Sequence, residues 1–162
     1  MKIWQKRIPN MLKVAFKSLL LILFCIFLSA AITYGASLNW CKSQAQALSI
    51  AQNEGKFVLL IAGRNTCGNT RYMREICESN TSVHRLIEQN FVPWYCDTDS
   101  KEWYKYAQGL SDSIYLPLIC CIKPSATVLF FDRSTGTQST INFFNRLQSI
   151  INTQKISHMK NR

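Results

Sequence analysis

The sequence lacks the short motifs that identify several common enzyme classes. It contains no glycine-rich phosphate-binding loop and no Gly-x-Ser-x-Gly motif, and its 2 histidines form no HExxH pair. A hydrolase or a zinc protease is therefore a poor interpretation of this chain. No internal repeat or low-complexity segment interrupts the sequence. We predict neither a cofactor nor a resident metal.

Acidic residues are scarce, with 9 Asp and Glu against 19 Lys and Arg, for a formal net charge of +10. Half of that charge lies in residues 1–36, which contain no acid and these cations: Lys2, Lys6, Arg7, Lys13 and Lys17. Residues 37–162 carry the other +5, and their aromatic residues are not interleaved with cations. We therefore predict no nucleic-acid partner.

Residues 19–32 form an apolar run directly behind the basic segment. A spanning helix needs about 20 residues and the apolar part of a signal peptide about 7–15, so this run lies between the two. We predict that residues 1–36 form a cytoplasmic basic segment followed by a signal peptide or a transmembrane anchor, and the long basic part favours the anchor. The positive-inside rule then places the rest outside the cytoplasm, membrane-anchored or secreted to the periplasm. A buried N-terminal core helix is the alternative.

No CxxC pair occurs among the 7 cysteines, which argues against a zinc ribbon or finger. Cys25 lies in the apolar run, and the remaining cysteines lie in the exported part: Cys41, Cys67, Cys77, Cys96, Cys120 and Cys121. An exported domain of this size permits disulfides, in any of several pairings. One hypothesis is a structural pair between Cys41 and Cys96.

Hydrophobic periodicity and turn residues predict one α/β domain over residues 37–154, followed by a polar tail at 155–162. The predicted helices cover 43–54, 71–77, 83–89, 101–108 and 140–153, and the predicted strands cover 56–62, 91–96, 118–122 and 127–131. A polar turn is expected at 132–137. The connection at 123–126 has hairpin length, so the last two strands should be antiparallel.

Cys67 occupies the most informative position, directly after a predicted central strand and at the start of a helix. The unpaired N–H groups at a helix N-terminus favour a thiolate, which is the nucleophile of disulfide exchange. Three cations, Arg64, Arg71 and Arg74, lie in the same stretch of sequence, and no acid occurs between Glu54 and Glu75. The alternative is a small thiol buried in a packed turn.

The order and spacing of several residues in this domain resemble the exported thioredoxin-like proteins. The residues that carry the resemblance are Trp40, Ala45, Ala47, the segment 54–60, Cys67-Gly68, Met73, Ser82-Val83, 90–92, Asp97 and Leu116-Pro117. The likeness implies a thioredoxin-like fold, a central mixed sheet of four to five strands flanked by helices. It also implies that Cys67 attacks a substrate disulfide and that Pro117 is the cis-proline facing it.

Three departures from that family restrict the chemistry. Thr70 stands where the second cysteine of CxxC would be, Thr66 replaces an aromatic residue, and Ile61 replaces a buried acid. A hydroxyl cannot resolve a mixed disulfide, so a two-cysteine cycle within this motif is excluded. We predict that Thr70 instead donates a hydrogen bond to the Cys67 thiolate and lowers its pKa.

The other thiols are poor substitutes for the missing cysteine. Cys77 lies about 15 Å from Cys67 if the helix is continuous, whereas a disulfide needs Cα atoms about 4.4–6.8 Å apart. Cys120 and Cys121 are neighbours on a strand, so they face opposite sides of the sheet, and we expect both in the core. Glu75 and Glu78 are expected at the solvated surface of the Cys67 helix.

The sequence leaves three functional hypotheses. The first is a monothiol oxidoreductase or isomerase whose Cys67 forms a mixed disulfide with a protein or small-molecule thiol or disulfide partner. The second is a redox-inactive binding or chaperone-like module that grips extended peptide near Pro117. The third, which we consider the weakest, is a copper-handling protein with the ligands Cys67, Met73, Cys77 and His84.

Overall fold

The computed structural model describes residues 37–107, 115–124 and 129–160. The predicted signal or anchor segment at 1–36 lies outside these described residues. The described elements, in chain order, are α1 (Gln44–Glu54), β1 (Phe57–Gly63), α2 (Gly68–Ser79), α3 (Thr81–Asn90), β2 (Phe91–Asp97), α4 (Lys101–Ala107), β3 (Leu118–Lys123), β4 (Leu129–Thr135) and α5 (Thr140–Lys160). This order is the one predicted from the sequence. None of these described helices is long and apolar enough to cross a membrane.

The strands form a four-stranded mixed sheet in the order β2-β1-β3-β4. β1 runs parallel to β2 and antiparallel to β3, and β3 pairs antiparallel with β4, which confirms the predicted hairpin. The parallel pair is joined through α2 and α3, as a parallel connection requires a crossover. β1 is therefore a central strand, which explains why it is apolar on both faces.

Helices cover both faces of the sheet. One core contains side chains of α2, α3 and α5 against Leu59, Ile61 and Cys121, and the other contains side chains of α1 and α4 against Leu60, Trp94 and Cys120. Cys120 and Cys121 are fully buried on opposite faces, as predicted from their adjacent strand positions.

β2 is an edge strand, and its outer edge is partly occupied by Cys41. The Cys41 N–H donates to the carbonyl oxygen of Pro93 at 2.8 Å, and the Tyr95 N–H donates to the carbonyl oxygen of Cys41 at 3.2 Å. Pro93 has no N–H to donate and is accommodated on this edge strand. The sequence had predicted either an edge strand or an irregularity at Pro93.

The hypothesis of a Cys41–Cys96 disulfide disagrees with the structure, in which both are free thiols. Cys41 is paired with Trp94, two residues before Cys96, so the two cysteines are diagonal neighbours on one face. A strand spacing of about 4.8 Å combined with a rise of about 3.3 Å per residue puts their Cα atoms roughly 8 Å apart. That exceeds the reach of a disulfide without backbone movement.

The C-terminal elements extend beyond the predicted limits. β4 continues to Thr135 through residues expected to form a turn, because Asp132 and Arg133 pair with Cys121 and Cys120 of β3. Asp132 is further held by an ion pair with Arg146 of α5. α5 continues to Lys160 through the predicted tail, since no Gly or Pro occurs between residues 140 and 160.

Candidate active site around Cys67

Cys67 is the N-cap residue of α2, at the end of the four-residue turn that follows β1. Its backbone N–H donates to the carbonyl oxygen of Arg64 at 3.1 Å, and its own carbonyl oxygen accepts from the Arg71 N–H at 3.1 Å. The side chain is partly exposed to solvent and caps no backbone N–H. The thiol is thus accessible for reaction at the N-terminus of α2.

The pKa of Cys67 is lowered from the ordinary thiol value. The backbone N–H of Thr70 makes the largest contribution, followed by the Thr70 side chain, and the Asn69 N–H and the charge of Arg64 act in the same direction. Partial burial works against this shift without reversing it. Unpaired N–H donors at the first turn of a helix therefore favour the thiolate, as the sequence predicts.

The Thr70 hydroxyl lies behind Cys67 and is packed against the end of β1. Thr70 is fully buried, and a Cβ atom placed on Gly63 would lie 2.2 Å from Thr70 Oγ1. Oγ1 has no hydrogen-bond partner within the described part of the chain, although the hydroxyl contributes to lowering the pKa of Cys67. These two observations agree if the hydroxyl donates only after Cys67 ionises. We assign the larger effect to the backbone N–H, because the helix holds it in place.

The other thiols of the described domain are poor nucleophiles. Cys41, Cys77, Cys96, Cys120 and Cys121 are all buried. Burial raises the pKa of Cys96 to about 11 and that of Cys120 to about 12, and it raises the pKa of the other three as well. Within the described residues, Cys67 therefore combines exposure with a lowered pKa, and the rest serve as small core side chains.

The Leu116–Pro117 peptide bond is cis, as the family resemblance implies. Pro117 is buried, and its carbonyl oxygen accepts a hydrogen bond from the Gly136 N–H at 2.9 Å. Ala62 pairs with Leu118, so the same antiparallel register brings Pro117 opposite Gly63. The cis-proline therefore lies beside the end of β1, from which the turn to Cys67 departs.

Side chains at and just beyond the end of β2 hold that turn in place, and no prediction from the sequence includes these contacts. Arg64 forms an ion pair with Asp99 at 3.0 Å, and Asn65 donates to Asp97 at 3.1 Å. The Tyr95 hydroxyl donates to the carbonyl oxygen of Gly63 at 2.7 Å. These contacts span more than 30 residues of sequence, so no local pattern indicates them. The only signal in the sequence is Asp97 itself, which belongs to the residues that resemble the family.

Arg74 of α2 packs between two aromatic rings beside the same turn. Its guanidinium carbon lies 4.3 Å from the centre of the Tyr95 ring and 5.7 Å from that of Trp40, and Nη1 donates to Asn65 at 3.4 Å. Such stacking is favourable because the face of an aromatic ring is electronegative. From the sequence, Arg74 was predicted only to be one of three cations near Cys67.

The expectation that Glu78 is a solvated surface residue is wrong. Its carboxylate accepts hydrogen bonds from the indole Nε1 of Trp40 and from the Leu38 N–H, the latter at 3.0 Å. Glu75 is exposed, as expected. The segment directly before α1 is therefore fastened to the helix that carries Cys67.

The residues considered for copper do not form a common site. Cys67 and Cys77 lie near opposite ends of α2, and both Cys77 and Met73 are fully buried in the core. The Met73 sulfur accepts a hydrogen bond from the Gln138 N–H at 3.3 Å. No group of three or more His, Cys, Asp or Glu side chains suited to a metal occurs in the described ranges.

Comparison with solved structures identifies the fold. A thioredoxin from Thermus thermophilus superposes with a TM-score of 0.62 at 24% identity, covering 72% of this chain and 88% of that protein. A disulphide isomerase from Xylella fastidiosa gives 0.53 at 18% identity (71% and 99% covered), and a wild-type thioredoxin h from poplar gives 0.53 at 14% (72% and 97%). No family model matches the sequence, and no curated protein matches it. The domain has the thioredoxin-like α/β fold.

Proposed function

We propose that this protein is an extracytoplasmic monothiol disulfide exchanger that acts through Cys67, with oxidoreductase or isomerase-like activity. The observation that carries the proposal is the chemical contrast among its thiols. Cys67 is partly exposed with a lowered pKa, whereas the five other described cysteines are buried with raised pKa values. The cis-Pro117 beside the end of β1 and the thioredoxin-like fold support the same conclusion.

The proposed reaction has two balanced exchange steps. The Cys67 thiolate attacks one sulfur of a partner disulfide, forms a mixed disulfide with it and releases the other partner sulfur as a thiolate. An external thiolate, from a small thiol or a second protein cysteine, then attacks the partner sulfur of the mixed disulfide and releases the Cys67 thiolate. No net oxidation of this protein occurs. The external thiol is needed because Thr70 cannot resolve the intermediate.

The compartment is a separate part of the proposal and rests on the N-terminal sequence. Residues 1–36 combine five cations, no acid and an apolar run, which supports a membrane anchor or a signal peptide with the domain in the periplasm. Labelling of intact cells with a membrane-impermeant maleimide tests this. We expect labelling of Cys67 without lysis; labelling only after lysis contradicts the assignment.

The chemistry is tested by trapping partners and by activity. Alkylated extracts of the native envelope should contain disulfide-linked adducts of the wild-type protein, and these should disappear in Cys67→Ala. They should persist in the matched control Cys96→Ala, which removes a buried thiol at the end of β2. With added glutathione, the wild-type protein and Cys96→Ala should reduce insulin and repair scrambled ribonuclease, whereas Cys67→Ala should lose both activities. Equal rates in wild type and Cys67→Ala would refute the exchange activity.

A second candidate is a peptide-binding module without redox turnover. Thr70 in place of a resolving thiol, combined with a retained cis-Pro117, favours this alternative. It predicts that the protein binds an unfolded, cysteine-free polypeptide and that Cys67→Ala binds it equally well. The exchange proposal instead predicts that stable association requires a disulfide in the polypeptide.

A further inference from the structure

Arg74 is the least ordinary charged residue near the candidate site. It is only partly exposed, and its Nε is buried without a hydrogen-bond partner among the described residues. The guanidinium is nevertheless fixed, since it lies over Tyr95 and Trp40 and one of its nitrogens donates to Asn65. Burial of the Arg74 Nε without a hydrogen bond costs solvation free energy, which the stacking and the contact with Asn65 have to offset.

Asn65 connects Arg74 to the turn that carries Cys67. Its side-chain oxygen accepts from Arg74, and its side-chain nitrogen donates to Asp97 at 3.1 Å. Asn65 therefore bridges α2 and the end of β2 while its backbone belongs to the turn before Cys67. Two residues later, the chain enters α2 with the Cys67 thiol at the helix N-terminus.

The partners of Arg74 are themselves anchored. The Trp40 indole donates to Glu78 one helical turn further along α2, and the Tyr95 hydroxyl donates to the carbonyl oxygen of Gly63. Displacing the Arg74 guanidinium would therefore leave the side-chain oxygen of Asn65 without its donor and expose the rings of Trp40 and Tyr95 that contact the guanidinium. Arg74 is held by these contacts, whereas Arg71 is exposed and its side chain makes no hydrogen bond or ion pair within the described part of the chain.

We propose that Arg74 is a positioning residue for Cys67, acting through Asn65 to hold the turn in the geometry that presents the thiolate to the N–H donors of α2. This inference rests on the exchange activity proposed above. The planar guanidinium is essential to it, because stacking and the donor to Asn65 both depend on the arginine fork, which a lysine lacks.

The test is the pH dependence of Cys67 alkylation, measured in the Arg→Lys pair Arg74→Lys and Arg71→Lys. Both keep the charge, so a change confined to Arg74→Lys reports geometry. We expect Arg74→Lys to lower the alkylation rate at neutral pH by about three- to tenfold, the effect of one lost hydrogen bond, with a higher pH midpoint. Arg71→Lys should stay within about twofold. The other charged or titratable groups of the turn and of the end of β2 are Arg64, Tyr95, Asp97 and Asp99. All four are retained in both variants, and Arg71→Lys keeps a positive charge at position 71.

A double-mutant cycle identifies the route of the effect. Asn65→Ala alone should raise the midpoint, and Arg74→Lys should then add little to it. Asn65 is exposed, so this variant reports on the turn even where Arg74→Lys fails to fold. A merely structural Arg74 would lower the melting temperature and leave the midpoint unchanged. That outcome, or independent effects of the two substitutions, overturns the inference. If the pH midpoint of Cys67 alkylation in the wild-type protein equals that of a free cysteine, the proposed function is overturned instead.

Discussion

The close approach of Thr70 to Gly63 predicts a large effect of adding a single methyl group. In Gly63→Ala, the new Cβ would lie 2.2 Å from Thr70 Oγ1 and 2.7 Å from Thr70 Cγ2. Ordinary contacts between such atoms are about 3.5–4.0 Å. Thr70 belongs to the first turn of α2 and is fully buried, so it cannot rotate into solvent. Thr70 and the first turn of α2 must therefore shift relative to the end of β1.

The cost follows from the ordinary energetics of an overpacked core. Inserting a methyl group that forces a backbone shift costs about 1–3 kcal/mol. In a domain of about 120 residues, each kcal/mol lowers the melting temperature by roughly 3–5 °C, so we expect a decrease of about 3–15 °C. Because the clash is centred on Thr70, whose N–H is the main donor to the Cys67 thiolate, the shift should also disturb that contact and lower the alkylation rate of Cys67 at neutral pH.

Two variants make this prediction specific. Thr70→Ala removes both of the nearest atoms, so the double variant Gly63→Ala/Thr70→Ala should recover most of the lost stability, with a coupling energy of about 1 kcal/mol or more. Gly68→Ala is the matched control, since a Cβ there meets no atom within 4 Å. It lies in the helix and should be neutral or stabilising by up to about 1 kcal/mol. Thermal and denaturant unfolding of the wild type, Gly63→Ala, Thr70→Ala, the double variant and Gly68→Ala gives these quantities. The reasoning is refuted if Gly63→Ala lowers the free energy of unfolding by the same amount in the wild type and in Thr70→Ala.

Three further predictions concern the thiols and the segment before α1. Thr70→Val should raise the pH midpoint of Cys67 alkylation while leaving the melting temperature unchanged or higher, because the buried hydroxyl has no partner to lose; an unchanged midpoint would exclude a role for the hydroxyl. The five buried thiols have raised pKa values in the folded protein, so above the thiol pKa of the unfolded chain, about 8.5, they ionise only on unfolding. The free energy of unfolding should therefore be constant below that pH and fall above it, by about 1.4 kcal/mol per pH unit for each such thiol. A denaturation series from pH 7 to 10.5 in which the free energy of unfolding stays constant would contradict this. Trp40→Phe loses the hydrogen bond to Glu78 and should cost about 1 kcal/mol in denaturant unfolding, whereas Tyr104→Phe, at an exposed site, should cost nothing measurable.

Much of the fold could be predicted because its signals are local. The apolar run of β1, the stop at Gly63 and the helix that follows Cys67 are all contained in about 20 residues. The same local pattern placed Cys67 at a helix N-terminus and indicated a lowered pKa. The short connection predicted at 123–126 was sufficient to predict an antiparallel pairing of the last two strands, because its length permits little else.

The rest of the site depends on contacts between distant residues. Arg64 meets Asp99 and Asn65 meets Asp97 only because β1 and β2 are parallel neighbours whose ends coincide. No periodicity in the sequence reports that register. The extent of β4 was missed for a related reason: Asp132 has low strand propensity, and its ion pair with Arg146, together with pairing to β3, overrides that preference.

The lowered pKa of Cys67 bears on both halves of the proposed exchange. The Thr70 and Asn69 N–H groups stabilise a charged sulfur and lose that interaction when the sulfur becomes neutral in a mixed disulfide. A thiolate stabilised in this way is also a good leaving group, because exchange is faster when the departing thiol has a low pKa. Ile61 provides no buried acid to assist with protons, and the backbone donors alone have to supply both properties. In the proposed exchange, a single cysteine therefore suffices wherever an external thiol is present, and Thr70 at position 70 is compatible with the proposal.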